Sequence, residues 1–205
     1  MRYTIMHKWW LIVKKLEMTK IWVNDAFVAV TLVKVLPQEI IRYKTEETDG
    51  YIAAVIGVEK KEVPSKKGTK NTYTMVSEFK VDPEFIAANE AGKVLTADFV
   101  EGVETVTATA NTIGKGFQGM VKKWHVKGMG ATHGHKFTRT GGSKGNRKPR
   151  RVMKGHPHAG HMGNEQVTIK DIKLLDVMKR EGEEVLVLKG SLPGTYNSKV
   201  KITLN

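Results

Sequence analysis

Residues 105–164 read TVTATANTIGKGFQGMVKKWHVKGMGATHGHKFTRTGGSKGNRKPRRVMKGHPHAGHMGN. The stretch holds twelve Lys or Arg, twelve Gly, six of the seven His, and no Asp or Glu. The rest of the chain carries 22 basic and 21 acidic residues, so almost the whole formal charge of +13 sits here. Val, Ile, Leu and Phe supply only seven of the sixty residues. So few apolar side chains do not offset the ordering entropy of so many glycines. A core must therefore be built from the residues on either side, with the basic stretch as a long excursion from it. On its own the stretch is expected to be mostly disordered.

Outside it, β-type patterning dominates. Val28–Leu36 (VAVTLVKVL) is β-branched and ends at Pro37, and Asn24-Asp25 is a turn that joins it to Lys20–Val23 as a hairpin. Further strands are expected at Tyr51–Val58, Thr72–Val81, Val94–Val100 and Glu104–Ala110, with a polar loop over Lys60–Asn71. Asp82-Pro83-Glu84 opens a short helix to about Asn89. After the basic stretch, Val167–Val177, Glu184–Lys189 and Lys199–Leu204 resume the strand pattern, with turns at 180–183 and Pro193-Gly194. Many short strands with turns between them point to a mainly β fold, a closed barrel or a sandwich.

Charge segregation of this kind, at a sequence pI near 9.8, points first to nucleic acid and second to an anionic membrane surface. The cations are spread along the stretch: Lys115, Lys122, Lys123, Lys127, Lys136, Arg139, Lys144, Arg147, Lys148, Arg150, Arg151 and Lys154. Such spacing suits a phosphate backbone, and six to ten contacts would cost about three to five decades of affinity between 50 and 200 mM salt. Glycines let main-chain amides approach phosphate oxygens. Phe117, Trp124 and Phe137 are of the type that stacks on unpaired bases or packs locally. If both ends return to one barrel, fifty residues going out and back reach at most about 80 Å at roughly 3.3 Å each.

Other chemistries are weaker. Gly114–Gly119 (GKGFQG) has the letters of the dinucleotide fingerprint, but no helix-forming segment follows and no acid occurs before Glu165. His133, His135, His156, His158 and His161 have metal-like spacing, yet the window has no carboxylate and the chain no cysteine. No metal, cofactor or catalytic residue is assigned. The apolar run Trp9–Val13 is too short for a signal segment and nothing approaches a spanning helix, so a soluble, intracellular protein is expected.

A family resemblance runs along the chain in one order: VKKLEMTKIW (13–22), GKGFQGMVKKW (114–124), ATHGH (131–135), GGSKG (141–145), MKG (153–155), AGHMGNEQVT (159–168) and LVLKGSLPGTYNS (186–198). These segments resemble the large-subunit ribosomal protein L-three family in its bacterial-type form. Glycines usual in the opening motif are replaced here by Val13 and Glu17. The resemblance implies a translation-protein-type β-barrel with a small inserted α+β subdomain and a long basic, Gly-rich loop. That loop would run through ribosomal RNA towards the peptidyl-transferase region. It also implies binding to large-subunit ribosomal RNA near its 3′ domain, a part in subunit assembly, neighbouring large-subunit proteins as partners, and a cytoplasmic ribosomal location. Members often carry a Gln near the loop tip that is methylated in some of them. No Gln lies between Gln118 and Gln166, so that modification is expected to be absent.

Carried over by position, residues 1–113 form the first part of the barrel with the inserted subdomain, 114–163 the RNA-penetrating loop, and 164–205 the second part of the barrel. The expected RNA-binding residues are the twelve cations above, Lys14 and Lys15 from the opening motif, Phe117, Trp124, Phe137, His133, His135, His156, His158 and His161. No membrane and no small-molecule substrate is expected. Two other classes stay open: a His-metal enzyme on a β-barrel, tested by metal content on purification, and a non-ribosomal nucleic-acid chaperone, tested by failure to sediment with ribosomes.

Overall fold

The computed structural model describes residues 10–65, 68–100, 102–180 and 182–204. In chain order its elements are β1 (Trp10–Val23), β2 (Ala26–Val35), β3 (Gln38–Lys44), α1 (Glu46–Asp49), β4 (Ala53–Ser65), β5 (Gly68–Lys80), α2 (Pro83–Ala88), β6 (Val94–Leu95), a 3-10 turn (Ala97–Val100), β7 (Thr105–Asn111), β8 (Phe117–Gln118), α3 (Met120–Trp124), β9 (Gly160–His161), β10 (Gln166–Arg180), β11 (Glu183–Lys189) and β12 (Lys199–Leu204). The chain is mainly β, as its patterning predicts. It packs as two units, Met1–Ala110 with Val167–Asn205, and Asn111–Gln166.

In the first unit, six strands close into a barrel in the order β1-β12-β7-β10-β11-β2. β7 shows why its sequence suits a barrel wall. Val106, Ala108 and Ala110 are buried, while Thr105, Thr107 and Thr109 alternate outward, half-buried. Period-two alternation of this kind puts one face in the core. The inward residues meet Leu11, Val13, Val33, Leu186, Leu188, Val200 and Ile202 in one continuous core.

The β1–β2 hairpin forms as expected, with Asn24 (φ 46°) and Asp25 (φ 59°) in the left-handed region that a two-residue turn requires. Trp22 and Phe27 face each other across it edge to face at 4.6 Å. The ammonium of Lys20 lies 4.7 Å from the Phe27 ring centroid. A one-residue bulge between Lys15 and Met18 re-aims the side chains of β1.

Between β2 and β7 a four-stranded sheet, ordered β5-β4-β3-β6, forms the insertion. Buried Gln38 marks the crossing from barrel to insertion. It accepts from the Ile12 amide (3.2 Å) and donates to the carbonyls of Ile12 (3.4 Å) and Leu36 (3.3 Å), so its amide is satisfied in the core. Phe85 of α2 packs against Tyr43 and Phe79 at ring distances of 6.4 and 6.1 Å.

The structure corrects the sequence reading in two places. Lys60–Asn71 is no polar loop. The β4–β5 ladder continues through Lys60↔Tyr73, Glu62↔Asn71 and Ser65↔Gly68, with residues 66 and 67 outside the described set. On the β4 side of these arms Lys60–Pro64 are all exposed and the first three are charged, so the apolar alternation that announces a strand is missing although the main chain pairs. The expected strand Val94–Val100 is only two residues of β6 followed by the 3-10 turn, whose Ala97 amide donates to the Glu184 carboxylate at 2.5 Å. The 180–183 turn falls partly at Glu181, outside the described residues.

Candidate nucleic-acid interface

Unit Asn111–Gln166 has backbone order without a core. Its base is a ladder: Thr112 N to Glu165 O (2.9 Å), Lys115 N to Met162 O (2.8 Å), Met162 N to Gly116 O (3.0 Å), then Phe117↔His161 and Gln118↔Gly160. α3 follows, with Lys122 and Lys123 in its last turn and His125 ending it in the left-handed region (φ 56°). The Trp124 indole donates to the His158 carbonyl at 2.8 Å and ties α3 to the segment just before β9. A second clasp, Met129 N to Thr138 O at 2.8 Å, closes a smaller loop around Ala131–His135.

Glycine matters at two of these joints. At Gly163 (φ +77°) a Cβ would lie 2.1 Å from the Ile113 carbonyl oxygen, and at Gly128 (φ +73°) one would lie 2.7 Å from that of Thr138. Main-chain pairing at these joints stands where a core would otherwise hold the segment.

No residue from 111 to 166 is buried. Phe117 and Phe137 are 76% and 77% exposed, and Trp124 46%. Lys115, Lys122, Lys127, Lys136, Arg139, Arg147, Lys148, Arg150, Arg151 and Lys154 are exposed, and Lys123 and Lys144 half-buried. The sole carboxylate in the unit is Glu165 at its end, and among the described residues no acid pairs with any of these twelve cations. The Lys144 ammonium rests 3.0 Å from Met120 Sδ, and Lys123 lies 5.6 Å from the Trp124 ring centroid. The result is a unit whose cations have no carboxylate partner among the described residues and whose aromatic rings are exposed, on a hydrogen-bonded frame.

The histidines do not converge. His156 and His158 are 5.5 Å apart ring to ring, with a tilt of 59°. His133, His135 and His161 are exposed. Among the described residues no three His, Asp or Glu come together as metal ligands.

On the barrel the two opening lysines diverge. Lys15 donates to the Leu192 and Gly194 carbonyls at 2.8 and 3.0 Å, so its ammonium holds the Pro193-Gly194 turn. Lys14 pairs in register with Lys34 on one side and Lys199 on the other, a row of three lysines across β2, β1 and β12. Lys34 has Glu183 as an ion-pair partner and Lys199 has Glu59 (3.5 Å), whereas among the described residues Lys14 has none. Sequence reasoning missed Lys34 and Lys199 because only the cross-strand register brings them beside Lys14. No helix among the described residues is long and apolar enough to cross a membrane.

A closed β-barrel with a small α+β insertion and a coreless cationic unit defines a mainly β, charge-carrying protein. The sequence profile described as ribosomal protein L3 matches residues 5–192. The chain is 39% identical to the large ribosomal subunit protein uL3 of Deinococcus radiodurans, over 91% of this chain and 90% of that one. It is 34% identical to uL3 of Geotalea daltonii (94% of each chain) and 35% identical to uL3 of Thermotoga petrophila (94% of this chain, 95% of that one). The chain belongs to the ribosomal protein L3 family, a family of structural ribosomal components and not of enzymes.

Proposed function

We propose that this chain is a structural constituent of the large ribosomal subunit in the cytoplasm. It binds large-subunit ribosomal RNA near the 3′ domain, with neighbouring large-subunit proteins around the barrel. Residues 114–163 act as an extended loop that supports the peptidyl-transferase region and subunit assembly. Residues 1–113, with the inserted subdomain, and 164–205 supply the two parts of the translation-protein-type barrel that carries it.

The observation behind this reading is the unit Asn111–Gln166, which has no buried residue and twelve cations that, among the described residues, have no carboxylate partner. A surface so charged and so apolar at Phe117 and Phe137 is covered at least energetic cost by a polyanion that also offers flat rings. RNA offers both. Lysines and arginines neutralise phosphates, glycines let the main chain come close, and the aromatics and histidines stack on bases. Lys14 adds a phosphate contact from the barrel. The chain supplies no catalytic group, and its partners include neither a membrane nor a small-molecule substrate.

Sedimentation of a lysate through a sucrose gradient at about 0.5 M salt, where loose electrostatic binders dissociate, tests this. Recovery in the large-subunit peak is expected. Recovery only at the top of the gradient overturns the assignment.

A further inference from the structure

The barrel carries a cleft of about 470 Å³ lined by Ile169, Lys170, Asp171, Ile172, Lys173, Lys189, Gly190 and Ser191. We infer that it is a second RNA-binding site, one that seats a nucleotide with its phosphates on Lys170, Lys173 and Lys189. The inference rests on the reading that RNA is the partner, but it uses residues outside the basic stretch.

Three observations carry it. First, the chain outside the stretch is almost neutral, yet three lysines and a single carboxylate, Asp171, meet in this cleft. All three lysines are exposed, and among the described residues none has an ion-pair partner. Second, Leu174 pairs with Leu188, so Lys173 and Lys189 are the next residues outward on adjacent strands. Like charges side by side across a ladder are unfavourable, and an anion seated between them turns that repulsion into attraction.

Third, the floor is built rather than incidental. Gly190 (φ +88°) donates its amide to the Ala29 carbonyl at 2.8 Å, and its own carbonyl accepts from the Thr31 hydroxyl at 2.6 Å. Asp171 sits at φ +55°, a left-handed position inside a strand that locally redirects β10. Half-buried Ile169 gives the floor an apolar surface, with Ile172 buried in the core beneath. Cations at the rim over an apolar floor suit a nucleotide, whose base or ribose covers Ile169 while its phosphates reach the lysines. The Asp171 carboxylate is an acceptor for a ribose 2′-hydroxyl or a base amino group.

The test is the salt dependence of full-length protein binding to a large-subunit ribosomal RNA transcript. Four proteins are compared: wild type, the triple variant Lys170→Ala, Lys173→Ala, Lys189→Ala, the single variant Lys173→Gln, and a reference triple Lys148→Ala, Arg150→Ala, Arg151→Ala. Each lost phosphate contact lowers the slope of log K against log salt by about one, so the cleft triple is expected to lower it by about two to three. The single Lys173→Gln, a smaller perturbation, is expected to lower it by about one. A slope lowered by the reference triple but not by the cleft variants overturns the cleft and leaves the basic stretch as the RNA interface; an acidic protein neighbour is then the occupant to test. A slope unchanged in every variant overturns both. A slope lowered by the cleft variants alone upholds the cleft and overturns the role of the stretch.

Discussion

The Lys15 ammonium lies 2.8 Å from the carbonyl oxygen of Leu192, a residue 177 positions later in the chain. With the Gly194 oxygen at 3.0 Å, it ties the Pro193-Gly194 turn to the start of the bulge in β1. Lys14 has no such partner among the described residues and stands between two lysines that do.

The two adjacent lysines should therefore separate by experiment. Lys15→Met keeps the aliphatic stem and removes two charge-assisted hydrogen bonds. It is expected to lower unfolding stability by about 1–2 kcal/mol, discounted for partial exposure, and to leave the salt slope of RNA binding unchanged. Lys14→Met is expected to do the reverse: stability unchanged or slightly raised by relieved repulsion, and a slope lowered by about one. Urea unfolding and salt-dependent RNA binding of both variants check this, and an identical profile for the two would show that Lys15 is no clamp.

What was legible in the sequence follows from which forces leave a one-dimensional trace. Alternation at Val106, Ala108 and Ala110 and β-branching over Val28–Leu36 are core signals, and both segments are strands. The charge of the 105–164 stretch is likewise additive along the chain. The β4–β5 arms left no trace because a strand solvated on both faces has no hydrophobic period. The Lys34–Lys14–Lys199 row and the Lys173–Lys189 neighbours depend on register, which closure of the barrel sets and local sequence does not. The Thr112–Gln118 ladder is held by main-chain bonds between segments rich in glycine, where side chains report little.

Gly163 is the position where the frame of the basic unit is most exposed to substitution. A methyl group there would meet the Ile113 carbonyl oxygen at 2.1 Å and the Gly114 Cα at 3.1 Å, both main-chain atoms unable to turn aside. Gly116 (φ +67°) has the same handedness but nothing within 4 Å of a Cβ. Gly116→Ala therefore carries only the left-handed cost, about 1–2 kcal/mol, while Gly163→Ala must also displace a strand of the ladder. Faster hydrogen exchange at the Lys115 and Met162 amides is expected for Gly163→Ala and much less for Gly116→Ala. Equal exchange in the two variants would mean that the close approach at Gly163 does not hold the stem.

The insertion has its own pH window. Lys44 donates to Glu78 (2.7 Å) and to the Tyr51 hydroxyl (2.6 Å), which in turn donates to Glu78 at 2.9 Å. The hydrogen bond from Lys44, then that from Tyr51, holds the Glu78 carboxyl below its ordinary value, and the bond to Glu78 raises Lys44 above its own. A depressed carboxylate stabilises the fold above its unfolded pKa, about 4.3, and that contribution is lost as pH falls through the folded value. A raised lysine stabilises below its unfolded pKa, about 10.4, and its contribution is lost as pH rises through the folded value. Glu78→Gln should thus be less stable than wild type at neutral pH, with the gap closing progressively below about pH 4.3. Urea unfolding of both proteins between about pH 3 and 7 measures that gap. A gap that stays constant across the range would show that Glu78 contributes through packing and not through its charge.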